Sequence, residues 1–200
     1  MKNKKETFFV NIAFTYINVI VISYPFYVVS IYLFSLINYY LNANSNYLLE
    51  VDTFNLFINI NRYFSESLIK AKGFPSFTVA SLFLSNFFYH SVVYSVLWSL
   101  RRFLKNISTE DYLSIENGKI LKGISVKVVL IAISIKVIQI ITNQIQVIDL
   151  VGRNIRLGYD FIELGKLIFD PILIICSSVY IIGNVIIKGA AIKQENDLTV

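Results

Sequence analysis

Four long apolar runs leave this chain few folds to choose from. They cover residues 8–41, 77–100, 128–148 and 167–187. A helix that crosses a bilayer needs about 20 predominantly apolar residues. In lipid every backbone N–H and C=O must pair internally, so runs of this length can only be helices. Buried strands are shorter, typically about 4–8 residues. The chain has 200 residues, of which 56% are hydrophobic, above the roughly 45–50% of soluble domains. The expectation is an all-α fold, a single integral membrane domain built as a four-transmembrane-helix bundle.

The first run outlasts one crossing, so it tilts or continues beyond the lipid. Pro25 lies inside it, a kink that membrane helices tolerate. The basic start "MKNKK" resembles the opening of a signal peptide. The run behind it is too long and too aromatic for one, which favours a retained anchor.

Charge placement sets the orientation. Eleven basic residues fall on one side: Lys2, Lys4, Lys5, Arg101, Arg102, Lys105, Lys119, Lys122, Lys127, Lys188 and Lys193. Six fall on the other: Arg62, Lys70, Lys72, Arg153, Arg156 and Lys166. The positive-inside rule makes the richer side cytoplasmic, with both termini there. The net charge of +5 is therefore read as a topology signal. No nucleic-acid motif accompanies it, so direct nucleic-acid binding is not expected.

Between runs two and three lies "RRFLKNISTEDYLSIENGKILKGISVK". Ser108 with Asp111 three residues on suggests a helix start. The expected element is a short surface helix over about 109–124, with Lys119 and Lys122 near anionic lipid. A plain solvated connector is the alternative. Residues 42–76 form the longest external segment, and Gly73 and Pro75 suit a turn into the second helix.

Enzyme chemistry finds no purchase. One Cys and one His cannot build a zinc site or a disulfide. Phosphate loops, zincin motifs and nucleophile elbows are missing from the sequence. No catalytic residue, metal or cofactor is expected.

The polar residues inside the runs are the remaining candidates. Lys136, Gln139, Asn143 and Gln146 follow helical spacing and form a polar stripe on the third helix. A cation this deep must face protein or water. Counting about 1.5 Å per residue from the inner ends of the runs, Asn18 and His90 lie at about 15 Å, Lys136 and Tyr180 at about 12 Å. These four form a candidate buried polar layer. Asp170 sits too far outward on the same count to be the natural counter-charge. The layer is either a proton or ligand site, or packing glue between helices. "GNVIIKG", residues 183–189, offers small residues for close helix contact, at a spacing other than G-x-x-x-G.

The tail "IIGNVIIKGAAIKQENDLTV" carries a family resemblance. Its Gly189, Ala190, Glu195, Asn196, Asp197, Leu198, Thr199 and Val200 are similar to the closing motif of the bacterial family known as domain of unknown function 2975. The link "FLKNISTEDYLSIENGKILKGIS" resembles that family more loosely. The resemblance implies a small four-helix membrane protein of the bacterial inner membrane with no established activity. Through the family's usual gene neighbours it also implies a cytoplasmic helix-turn-helix regulator as partner.

Three readings follow. The leading one is a non-enzymatic, multi-pass membrane protein that signals to, or sequesters, a cytoplasmic transcriptional regulator. Its docking surface would combine Lys119 and Lys122 with Glu195, Asn196, Asp197, Leu198, Thr199 and Val200. The second is a small transporter, channel or immunity-type protein that uses the polar stripe, working as a homo-oligomer. The third is a membrane assembly factor, whose partner a cross-link from Cys176 would reveal. In all three the lipid bilayer is the first partner.

Overall fold

The computed structural model of the chain describes residues 4–41, 76–108, 113–147, 165 and 171–199. Among these residues the fold is all-helical, with four long helices and no strands: α1 Lys4–Leu41, α2 Ser76–Ser108, α3 Ile115–Val147 and α4 Pro171–Thr199. Each is long and apolar enough to cross a membrane, the signature of a multi-pass membrane protein. Pro25 is accommodated inside α1 without ending it. Residues 42–75, 148–164 and 166–170, which hold most of the two segments expected to be external and Asp170, lie outside the described residues.

The helices outrun their apolar runs. α2 continues through the basic stretch to Ser108, and α4 carries the polar tail to Thr199. Of the surface helix expected over about 109–124, residues 115–124 belong instead to a long membrane helix. Residues 109–112 lie outside the described set, and from Ile115 that stretch is the first part of α3, continuous with the membrane run. The helix start also moves. Ser108 ends α2, where its hydroxyl donates to the Lys105 carbonyl at 2.7 Å. The cap of α3 is Ser114, whose Oγ accepts the Asn117 N–H at 3.1 Å while Gly118 N–H closes the first turn on its carbonyl at 3.2 Å. Glu116 in that first turn complements the helix dipole.

Hydroxyls scattered along the apolar surfaces are satisfied locally. Thr15, Ser30, Ser85, Ser91, Ser99, Ser177 and Ser178 each donate to the carbonyl four residues back, at 2.7–2.9 Å. This back-bonding lets a polar side chain sit against lipid without an unpaired group.

Contacts divide the chain into two compact units. The first comprises Met1–Pro25, Val92–Ile131 and Asp170–Val200. Its helices run antiparallel in sequence order. Asn18 and Tyr24 of α1 meet Arg101 and Tyr94 of α2. Asn106 and Ser99 of α2 meet Asn117 and Lys127 of α3. Gly118 and Ser125 of α3 meet Gly183 and Cys176 of α4. The start of α1, the end of α2, the start of α3 and the end of α4 therefore gather at one end. The second unit comprises Phe26–Ser91 and Ala132–Phe169. Its core holds Ser35, Leu82, Asn86, Tyr89, His90, Ala132, Ser134 and Ile138.

Candidate functional site

In the first unit, polar groups are used to lock helices together. Arg101 donates its Nε–H to Asn18 Oδ1 and lies 4.9 Å over the Trp98 ring. The Lys127 ammonium reaches Ser99 Oγ at 2.7 Å and the Ser95 carbonyl at 3.3 Å. Asn106 donates to Asn117 Oδ1 at 3.0 Å, with Asn117 fully buried. Ser125 donates to the Cys176 carbonyl at 2.6 Å. Lys122 places its ammonium 4.6 Å from the Tyr180 ring centre. At the α3–α4 crossing, Gly118 and Gly183 bring two backbones together. A Cβ on Gly118 would fall 2.6 Å from the Gly183 oxygen, and one on Gly183 would fall 2.8 Å from the Gly118 oxygen.

The second unit holds its polar groups deeper. Tyr32 donates to Asn86 Oδ1 at 3.5 Å, the outer limit of a hydrogen bond. The His90 ring packs edge-on against Tyr89 at 5.1 Å and Tyr32 at 6.2 Å. Asn86, Tyr89 and His90 share one face of α2 by their spacing of three and four. Asn86 Nδ2, Tyr89 Oη and Gln139 Oε1 are buried with no hydrogen-bond partner among the described residues.

The four residues of the expected layer are divided between the two units. Asn18 and Tyr180 belong to the first unit, His90 and Lys136 to the second. Asn18 is taken by Arg101 and Tyr180 by Lys122. The depth count begins at the ends of the apolar runs. The helices themselves run past those ends by unequal lengths. Tyr180 is also 39% exposed rather than enclosed. On the part of α3 in the second unit, Ala132, Ser134 and Ile138 are buried, while Lys136 and Gln139 are half-buried beside them. The side chains of Asn143 and Gln146 lie outside the described residues.

Along α3 and α4, Lys119 and Lys122 are offset from the acids of the tail. The crossing sets Gly118 beside Gly183, so Lys119 is level with that turn of α4. Glu195 is 12 residues further along the same helix, about 18 Å at 1.5 Å per residue. Lys122 is engaged still deeper, at Tyr180. The acids of the tail therefore stand well beyond both lysines. Ile192, Lys193, Gln194, Glu195, Asn196 and Asp197 are all exposed, more than one full helical turn. The side chains of Leu198 and Thr199, and all of Val200, lie outside the described residues.

Sequence reasoning missed Gly118, Ser125 and Lys127. Gly118 and Ser125 have one discernible signal: with Lys122 they follow a spacing of four and three, which marks one face of α3. Comparison with family models, curated proteins and solved structures found no match for the chain.

Proposed function

We propose that this is a non-enzymatic signalling or sequestering protein of the bacterial inner membrane, with both ends of the chain on the cytoplasmic side. One observation carries the reading. α4 does not stop where its apolar run stops; it continues as helix through "KQENDLT", with the whole circumference exposed from Ile192 to Asp197. A tail needed only for solubility has no reason to be held as a rigid extension. A helix offering Ile192 as an apolar anchor beside Glu195 and Asn196 suits a partner with an apolar, cationic groove. The basic end formed by Arg101, Arg102, Lys105, Lys119, Lys188 and Lys193 supports a cytoplasmic position for that tail. The resemblance to the family of domain of unknown function 2975 suggests a helix-turn-helix regulator as the occupant.

The test is co-purification from membranes through an amino-terminal tag, which leaves the carboxy terminus free. Removing residues 195–200 keeps the Gly118–Gly183 crossing and is expected to abolish partner capture. Capture and reporter output that persist after the deletion would overturn the reading.

A second reading, a small transporter or channel working as an oligomer, rests on the unpartnered Asn86 Nδ2, Tyr89 Oη and Gln139 Oε1. Buried polar groups normally find partners, and a polar solute or ion would supply them. Ion flux in liposomes that disappears with Asn86→Leu supports it; liposomes that stay tight with the intact chain count against it.

A further inference from the structure

The first unit is not uniform around its circumference at its basic end. Asn18 is level with Arg101, so Ile12 and Tyr16 of α1 stand level with the last two turns of α2. Asn117 joins Asn106, and Gly118 meets Gly183 and Ile187, so Val185 of α4 stands at that same level. On α1 this level shows exposed Phe8, Phe9, Ile12 and Tyr16; on α4 it shows exposed Ile181, Ile182 and Val185. On α2 it shows cations. Trp98, Arg101, Arg102 and Lys105 follow spacings of three, one and three, which is a single stripe. Trp98 is 49% exposed, Arg102 and Lys105 are exposed, and Arg101 is half-buried against Trp98. Lys127 closes the neighbouring α2–α3 groove.

A bilayer deep enough to cover the apolar flanks of α1 and α4 must therefore also cover this cationic stripe. A bare cation in hydrocarbon costs several kcal/mol by most measures, unless an anion or water is drawn in to it. The protein's own supply of counter-charge here is small. Glu116 pairs with Arg102 at 2.6 Å. Arg101 and Lys127 have only neutral acceptors among the described residues: Asn18, Ser95 and Ser99. Glu110 and Asp111 of the link lie outside the described residues.

We infer that this notch between α1 and α3 takes the phosphate of an anionic phospholipid, drawn inward to Arg101, Arg102 and Lys105. Trp98 and Tyr94 form its apolar floor. The lipid is favoured over a soluble acidic partner because the stripe begins on Trp98, at the end of the apolar run, where acyl chains reach and a water-borne surface does not. The guanidinium of Arg101 is pre-set for the task. Its Nε is tied to Asn18 and its Cζ lies 4.9 Å from the Trp98 ring centre, which leaves the terminal amino groups for a phosphate.

Trp98 is the single tryptophan of the chain, so its fluorescence reports this notch alone. The full chain is placed in detergent micelles and titrated with lipids brominated in the acyl chain, phosphatidylglycerol in one arm and phosphatidylcholine in the other. Brominated phosphatidylglycerol is expected to quench at a mole fraction at least about fivefold lower, as expected for one cation engaged near a headgroup. The preference is expected to shrink in high salt and in Arg102→Gln/Lys105→Gln, two exposed positions whose change leaves the Asn18 bond in place. Equal quenching by the two lipids overturns the inference without any variant. A full preference retained in the double variant overturns the assignment to this stripe.

Discussion

Gly118 of α3 and Gly183 of α4 meet backbone to backbone, each standing where the other leaves no room for a side chain. Membrane helices gain their association from such close packing, because lipid tails offer no hydrophobic penalty to separation. Gly118→Ala and Gly183→Ala are expected to destabilise by about 1–3 kcal/mol, the usual cost of overpacking. Gly123→Ala, which meets nothing within 4 Å, is expected to be neutral or to gain up to about 1 kcal/mol from helix propensity. Thermal unfolding in detergent separates the cases, and equal stability of all three variants would contradict the crossing.

The two serines that flank the α2–α3 link should behave differently. Ser114→Ala removes the α3 cap and is expected to cost about 0.5–2 kcal/mol. Ser108→Ala removes an exposed bond at the end of α2 and is expected to stay within about 0.5 kcal/mol. Denaturant unfolding of the two variants in one detergent checks this. A larger loss at Ser108 would restore the helix start expected from its Ser-x-x-Asp spacing.

Tyr89 offers a test of the buried polar face of α2. Its hydroxyl is fully enclosed and has no partner among the described residues. Tyr89→Phe keeps the ring and removes an unsatisfied group, so stability is expected to hold or to rise by up to about 1–3 kcal/mol. A clear fall in melting temperature would mean that the hydroxyl binds a water or a polar solute, which favours the transport reading.

Cys176 is 3% exposed, with Ser125 bonded to its own carbonyl. In folded protein it is expected to resist maleimide for hours and to react within minutes after unfolding in strong denaturant. Rapid labelling of the folded chain would show that α3 and α4 part at this point. A cross-link from this cysteine is accordingly a poor route to a membrane partner.

The sequence made the membrane helices legible because lipid imposes one rule on all of them, and the rule is length of apolar run. It could not show where helices end, because helix propensity does not stop at the edge of an apolar run. "RRFLKN" and "KQENDLT" are polar and helical at once. The candidate layer is levelled by counting from those edges, which the helices overrun. Asn18 found Arg101 instead, a pairing that needs the register of two antiparallel helices. Gly183 was legible as a small residue suited to close contact, but its partner Gly118 was hidden in a stretch that read as a surface helix. Lys119 and Lys122 looked like neighbours of the tail because the link and the tail share a side. The α3–α4 register alone shows that they are separated along the helix.

The overhang of α4 has a mechanical consequence. Ile187, Gly183, Tyr180 and Cys176 hold this helix to α3 over about 16 Å, and the helix runs about 18 Å further to Thr199. Such an arrangement is a cantilever. A sideways load on Glu195 towards α3 presses the Gly118–Gly183 contact, which cannot yield, and prises at Ser125 and Cys176 on the far side of it. A load applied at the tip would therefore be carried to the Ser125–Cys176 hydrogen bond.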